Sequence, residues 1–303
     1  MADLAALGLA CAIVTCTAWG VADYLAAHIT RRIGEARTLF RIQAVGVPVL
    51  LVAWMILRPP LPNSAAMGWI TLAAASFFVG YLAFFYGLRV GAISLVSPIS
   101  SAGALIPVAA GIVVFGEAPS AQRLVGIALT LIGLAITLTD FGAVRDLGTL
   151  GRRRGVWAGS LTLVMWGSGT ALLLPVIKVA GSFASIAILR VEVLFLILGW
   201  WLWDLVVRSR TASGPPPTAP GAESREGSLW PAIAPAALLD LIAFFAYGFA
   251  LQTAPASVAA PIASAYPLVT ILIARHRLRE RLSPREWSGV GATLAGVAAL
   301  GFG

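Results

Sequence analysis

Residues 92–140 and 255–303 repeat one another at a constant offset of 163, without a gap. Ser94 falls on Ser257, Pro98 on Pro261, Ser101 on Ser264 and Glu117 on Glu280. Further along, Gly126 falls on Gly289, Thr130 on Thr293, Leu131 on Leu294 and Gly133 on Gly296. Both copies are long apolar runs. A duplication of this kind restricts the chain to a repeated membrane bundle, an architecture that places its substrate site near the bilayer midplane between the halves. Transport is therefore the leading expectation.

The composition agrees. The chain is 59% hydrophobic and 11% charged, with a mean hydropathy of +0.91, outside the range of water-soluble domains of this length. A net charge of +8 raises the question of nucleic acid, but the basic residues are scattered over many loops and form no stripe, so no nucleic-acid partner is expected. Hydrocarbon-length runs lie at 4–28, 37–57, 64–87, 92–116 and 121–140, then at 155–177, 183–207, 229–251, 255–275 and 284–302. The expected fold is an all-α integral membrane protein of ten transmembrane helices in two inverted five-helix repeats, residues 1–140 and 155–303. A loop at 141–154 joins them, and 209–228 is a Pro-rich polar linker between the seventh and eighth helices. The first 28 residues lack a basic n-region and carry Asp3, so they are expected to stay as the first span. Cys11 and Cys16 lie on different faces of that span, so neither a disulfide nor a metal site is expected.

Five helices per repeat is an odd number, so consecutive copies enter the membrane from opposite sides. Loops that follow odd-numbered helices hold sixteen basic residues and those that follow even-numbered ones hold three, Arg58, Arg123 and Lys178. This bias places the odd loops in the cytoplasm and both termini outside it.

Trp19-Gly20 in the first helix corresponds to Trp166-Gly167 in the sixth, and Arg41 early in the second helix to Arg190 early in the seventh. Each half has a fourth helix rich in small residues and Pro, a Glu-containing turn and a Gly-spaced fifth helix. The chain thus resembles the drug/metabolite transporter superfamily, in its ten-helix type with two EamA domains. The resemblance covers nearly the whole chain and implies a transporter without implying a substrate. Many such relatives keep both termini in the cytoplasm, against the arginine count here.

Several residues are placed to line a central cavity. Pro98 and Pro261, with Ser97, Ser101 and Ser264, free backbone carbonyls inside the fourth and ninth helices; close packing of small residues is the alternative. Pro107 and the pair Tyr266-Pro267 extend the two irregular stretches unequally. Trp19 and Trp166 lie well inside their spans, where they wall a cavity or fill the core. Tyr81 and Tyr247 put phenol hydroxyls at midspan, where lipid has no use for them. Asp23, Glu192 and Asp240 are acids at membrane depth, a costly placement that marks function. Asp240 is the leading carrier of a proton or partner for a cation, the alternative being an ion pair with Arg41 or Arg190. Arg41 and Arg190, toward span ends, are expected to pair with the loop acids Glu117 or Glu280 as gating or structural charges.

No nucleotide-binding loop, nucleophile elbow or metal-ligand spacing is present, so an enzyme is not expected, nor any cofactor, and active transport would draw on a gradient, with protons one option. The expected protein is a secondary transporter, working as an exporter of a small metabolite, amino acid or drug-like compound across a bacterial cytoplasmic membrane, as a monomer or weak homodimer. The alternative is a membrane scaffold or lipid-handling protein.

Overall fold

A computed structural model of the chain describes residues 2–91, 93–138, 149–211, 229–278 and 284–302. Every regular element among them is helical. The first repeat comprises α1 (Ala2–Ile33), α2 (Glu35–Leu57), α3 (Ser64–Val90), α4 (Ile93–Ser101), α5 (Leu105–Val113) and α6 (Ala121–Leu138). The second comprises α7 (Thr149–Ala180), α8 (Ser182–Thr211), α9 (Trp230–Thr253), α10 (Ala256–Ser264), α11 (Tyr266–Leu278) and α12 (Pro284–Phe302). Helices dominate because a chain in hydrocarbon must satisfy its own backbone polar groups locally. Large apolar side chains such as Ile56, Val113 and Trp203 are 74%, 81% and 69% exposed, a surface suited to lipid and not to water.

Eight segments of the described residues are long and apolar enough to cross a bilayer: α1, α2, α3, α7, α8, α9 and the composites Val96–Val113 and Ala256–Ile273. The chain is a multi-pass membrane protein. Helices α6 and α12 occupy the fifth and tenth expected positions, but neither is among those eight; the apolar stretch in α6 is the shorter Ala121–Gly133. Two expected boundaries move. Helix α7 starts at Thr149, inside the expected connecting loop, and α8 runs to Thr211, into the expected linker. The rest of that linker, 212–228, lies outside the described residues.

The fourth and ninth segments are each broken, and the break follows the duplicated proline by the same distance. After Pro98, α4 ends at Ser101 and a 3-10 turn, Ala102–Ala104, precedes α5. After Pro261, α10 ends at Ser264 and a single residue, Ala265, precedes α11. The carbonyl of Pro98 accepts from Ser101 Oγ at 2.9 Å, and that of Pro261 from Ser264 Oγ at 2.7 Å. The serine three residues on thus satisfies a carbonyl that the interrupted helix leaves open. The breaks differ in length, as the unequal positions of Pro107 and Pro267 suggested.

The repeats pack crosswise. Helix α1 lies along α9, α3 along α7 and α6 along α12. Thr15 Oγ1 donates to the Ala243 carbonyl at 3.2 Å, and Thr162 Oγ1 to the Gly80 carbonyl at 3.4 Å. These contacts are one contact seen twice, since Thr162 is the repeat partner of Thr15 and Ala243 that of Gly80. Between α6 and α12 glycines let the backbones approach closely. Gly133 faces Gly289 and Thr293, while Gly126 faces Gly296 and Leu300. Rising numbers on one helix meet falling numbers on the other, so these equivalent helices run antiparallel, as inverted repeats require.

A side chain on Gly296 would collide with the backbone nitrogen of Thr130, whereas one on Gly291 would meet nothing within 4 Å. Gly296→Val is therefore expected to destabilise the protein by about 1–3 kcal/mol through overpacking and Gly291→Val to leave it nearly unchanged. Thermal unfolding of the two purified variants decides, and equal midpoints would discount the glycine seam.

Candidate functional site

The broken segments face a cavity between the repeats, with about 70 Å³ open to the centres of water-sized molecules. That is room for several waters and too little for a drug-sized solute. Its frame is aromatic and symmetric. Trp19 on α1 meets Phe244 and Tyr247 of α9, each at 5.3 Å between ring centroids. Trp166 on α7 meets Tyr81 and Phe84 of α3 at 5.4 and 4.8 Å. Tyr81 and Phe244 are repeat partners, as are Phe84 and Tyr247. The glycine after each tryptophan lets its helix close on the broken segment of the other repeat. A side chain on Gly20 would strike the Tyr266 carbonyl and Val269, and one on Gly167 would strike their repeat counterparts, the Gly103 carbonyl and Ile106.

On this symmetric frame the polar groups are unequal. Asp23 lines the cavity from α1, where its counterpart on α7 is Thr170. Asp240 lines it from α9, where its counterpart on α3 is Phe77. Tyr266, whose counterpart in the other repeat is Gly103, lines the cavity, and its hydroxyl donates to the Ser97 carbonyl at 3.3 Å.

Arg190 belongs to the same group. It is 0% exposed, and its Nη1 approaches Asp240 Oδ2 at 2.6 Å and donates to the Tyr81 hydroxyl at 2.8 Å. Tyr81 in turn donates to Asp240 Oδ1 at 3.4 Å. The guanidinium also sits over the Phe244 ring, 5.1 Å from its centroid, and Gly46 leaves space alongside its Nη2. Three helices, α3, α8 and α9, are thereby joined by one buried charge pair. Asp23 is different: it is 8% exposed, and among the described residues its Oδ2 has no hydrogen-bond partner.

Of the residues expected at the cavity, Trp19, Asp23, Tyr81, Ser101, Trp166, Asp240, Tyr247, Ser264 and Tyr266 line it. Ser97, Pro98 and Pro261 do not. They are buried one layer behind, because a proline that interrupts a helix acts through the backbone it redirects, and the redirected residues reach the cavity. Pro107 does line it. Arg190 is the second correction. It does not pair with a loop acid near a span end but with Asp240 inside the bundle, as the alternative view of that aspartate allowed. Arg41, its repeat counterpart, is half-buried, with its guanidinium 5.7 Å from the centre of the Trp230 ring. Glu117 is engaged by backbone instead. Its carboxylate accepts from the backbone N–H groups of Ala256 and Ser257, both at 2.9 Å. Helix α10 has no capping side chain of its own, so a carboxylate from the first repeat caps a helix of the second, where the helix dipole favours it. Glu280 lies outside the described residues. Thr15 and Thr162 were missed, since a threonine in an apolar span carries no signal until its acceptor is known.

These features, a paired bundle with broken segments facing an inter-repeat cavity, define a two-repeat membrane transporter fold. The chain belongs to the EamA-like transporter family, whose model matches residues 6–139 and 153–302. A solved structure described only as the crystal structure of a protein is similar to it, with a TM-score of 0.69 over 96% of this chain and 97% of that one, at 14% identity. That likeness speaks to the fold. No curated protein sequence matches the chain.

Proposed function

We propose that the chain is a secondary transporter that exports a small amphipathic metabolite, amino acid or drug-like compound by alternating access, as a monomer or weak homodimer in a bacterial cytoplasmic membrane. In this reading α6 and α12 also cross, giving ten spans, and the two repeats rock about the cavity between them. The observation that carries it is Asp23, an unpartnered carboxylate in an aromatic-walled cavity between the repeats. An ionised acid at that depth costs roughly 2.5–3.5 kcal/mol on insertion scales, and a scaffold or lipid-handling protein gains nothing from it. Such a group is suited to exchange a proton as the cavity is exposed to one side and then the other, which couples transport to the proton gradient. Asp240, already committed to Arg190, is less suited. The cavity as it stands holds only a few waters, so in this reading the repeats part to admit a solute. The Glu117 cap on α10, which crosses between repeats, is one of the contacts that parting would break.

Comparing the compounds that accumulate in the medium of cells with and without the protein tests the proposal. A compound exported only with the protein, and no longer after the proton gradient is collapsed, is the expected result; identical media would overturn export.

The arginine bias places both termini outside the cytoplasm. A reporter fused at Gly303 is expected to report a non-cytoplasmic position and one in the 209–228 linker a cytoplasmic one. The opposite pair of results would overturn the orientation and leave the inverted repeat intact.

A further inference from the structure

One acid at membrane depth takes no part in the central cavity. Glu192 is two residues beyond Arg190 on α8, so it points away from the cavity to which Arg190 is tied. It lies in a second space, a groove between α2, α3 and α8 with about 330 Å³ open to water-sized molecules. Leu50, Leu51 and Trp54 of α2, Leu61 of the following loop, and Val191 and Phe195 of α8 wall it. Leu51, Leu61 and Phe195 are 50%, 76% and 67% exposed, so the groove opens sideways toward lipid. Thr71 Oγ1 donates to Glu192 Oε1 at 3.0 Å. Among the described residues Glu192 Oε2 is shielded with no hydrogen-bond partner, and the carboxylate has no ion pair.

We propose that this groove binds a lipophilic amine dissolved in the bilayer, its ammonium on Glu192 and its apolar body along Leu50, Leu51 and Phe195. Charge and depth together select the occupant. A carboxylate in an apolar wall calls for a cation that brings its own N–H donors and its own hydrocarbon. Glu192 lies ten residues beyond Ser182, the start of α8, or about 15 Å along the helix at roughly 1.5 Å per residue. That is near the middle of a hydrocarbon layer of about 30 Å, deeper than a phospholipid headgroup sits. A single-chain or ring-bearing monoamine reaches it; a diacyl lipid anchored by its phosphate does not. The site is separate from the central cavity, and its occupancy does not depend on the chain being a transporter.

The test uses the full chain in phosphatidylcholine nanodiscs with two photoactivatable probes, a diazirine-bearing dodecylamine and the matching dodecanol, followed by peptide mapping. The amine is expected to label peptides containing residues 50–54 and 187–195, at least tenfold more than the alcohol does. Excess unlabelled dodecylamine should suppress that labelling and added phosphatidylethanolamine should not. Glu192→Gln should lower amine labelling tenfold. The amine-to-alcohol ratio on the unmodified protein needs no variant, so the proposal stays testable if the substitution reduces folding. Equal labelling by amine and alcohol, amine labelling confined to other peptides, suppression by phosphatidylethanolamine, or unchanged labelling of a folded Glu192→Gln protein would each overturn it.

Discussion

Asp240→Asn is expected to deplete folded protein in the membrane, by roughly tenfold or more, before any effect on transport can be read. Asp240 balances Arg190, which is 0% exposed and has its Nη1 2.6 Å from the aspartate oxygen. Removing one member of a buried pair leaves the other charge uncompensated, at a cost of about 3–5 kcal/mol. Total stabilities are on the order of 5–15 kcal/mol, and losses of even 1–2 kcal/mol change abundance several-fold in cells. Immunoblotting of membranes, with thermal unfolding of whatever protein is recovered, measures the effect. Arg190→Met combined with Asp240→Asn removes the orphaned cation and should restore much of the loss. Tyr81→Phe, which deletes a neutral hydroxyl from the same cluster, should cost only about 1 kcal/mol. Normal abundance of Asp240→Asn would show that the pair does not hold the bundle together, and would return Asp240 to the role of proton carrier.

Asp23→Asn is expected to do the reverse. Its Oδ2 has no partner, so the substitution orphans no cation, and the shape of the side chain is kept. Protein abundance should stay near that of the unmodified chain. Export driven by the proton gradient should fall at least tenfold if Asp23 is the group that loads and releases the proton. The contrast is informative because both aspartates line one cavity and differ in whether a cation already holds them. Efflux of the compound identified in the medium, followed with and without an imposed pH gradient, is the measurement. Gradient-driven export that survives Asp23→Asn at normal abundance would exclude Asp23 as the coupling residue.

Much of the fold was legible because membrane helices obey local rules. Length and apolarity marked where helices run; the 163-residue offset over the later helices, with Trp19 matched to Trp166 and Arg41 to Arg190 over the first two, assigned them to repeats without reference to any contact. Helix α6 could be matched to α12, and Trp19 to Trp166, from residue order alone. The Glu117 turn was recognisable as a turn between the fourth and fifth helices, although nothing in the sequence shows that its carboxylate caps a helix of the other repeat. Pro98 and Pro261 were recognised as duplicated interruptions; the segments in fact break three to four residues later, and the prolines themselves sit behind the cavity wall.

Charge pairing was where residue order ran out. Asp23, Arg41, Arg190, Glu192 and Asp240 are all conspicuous in a chain that is 11% charged, and all could be picked out as costly in lipid. Which of them neutralise one another depends on side chains 50 residues apart meeting across three helices, and the repeat gives no guidance because Asp23 faces Thr170 and Asp240 faces Phe77 in the alignment. The sequence by itself determined a duplicated helical membrane bundle, since apolar length and repeat order are properties of single segments. Only the tertiary structure decided that Arg190 holds Asp240, that Asp23 is left unpartnered in the cavity and that Glu192 faces away from both. Coulomb and hydrogen-bond energies in a low-dielectric interior turn on separations of a few ångströms, and those are set by how helices pack.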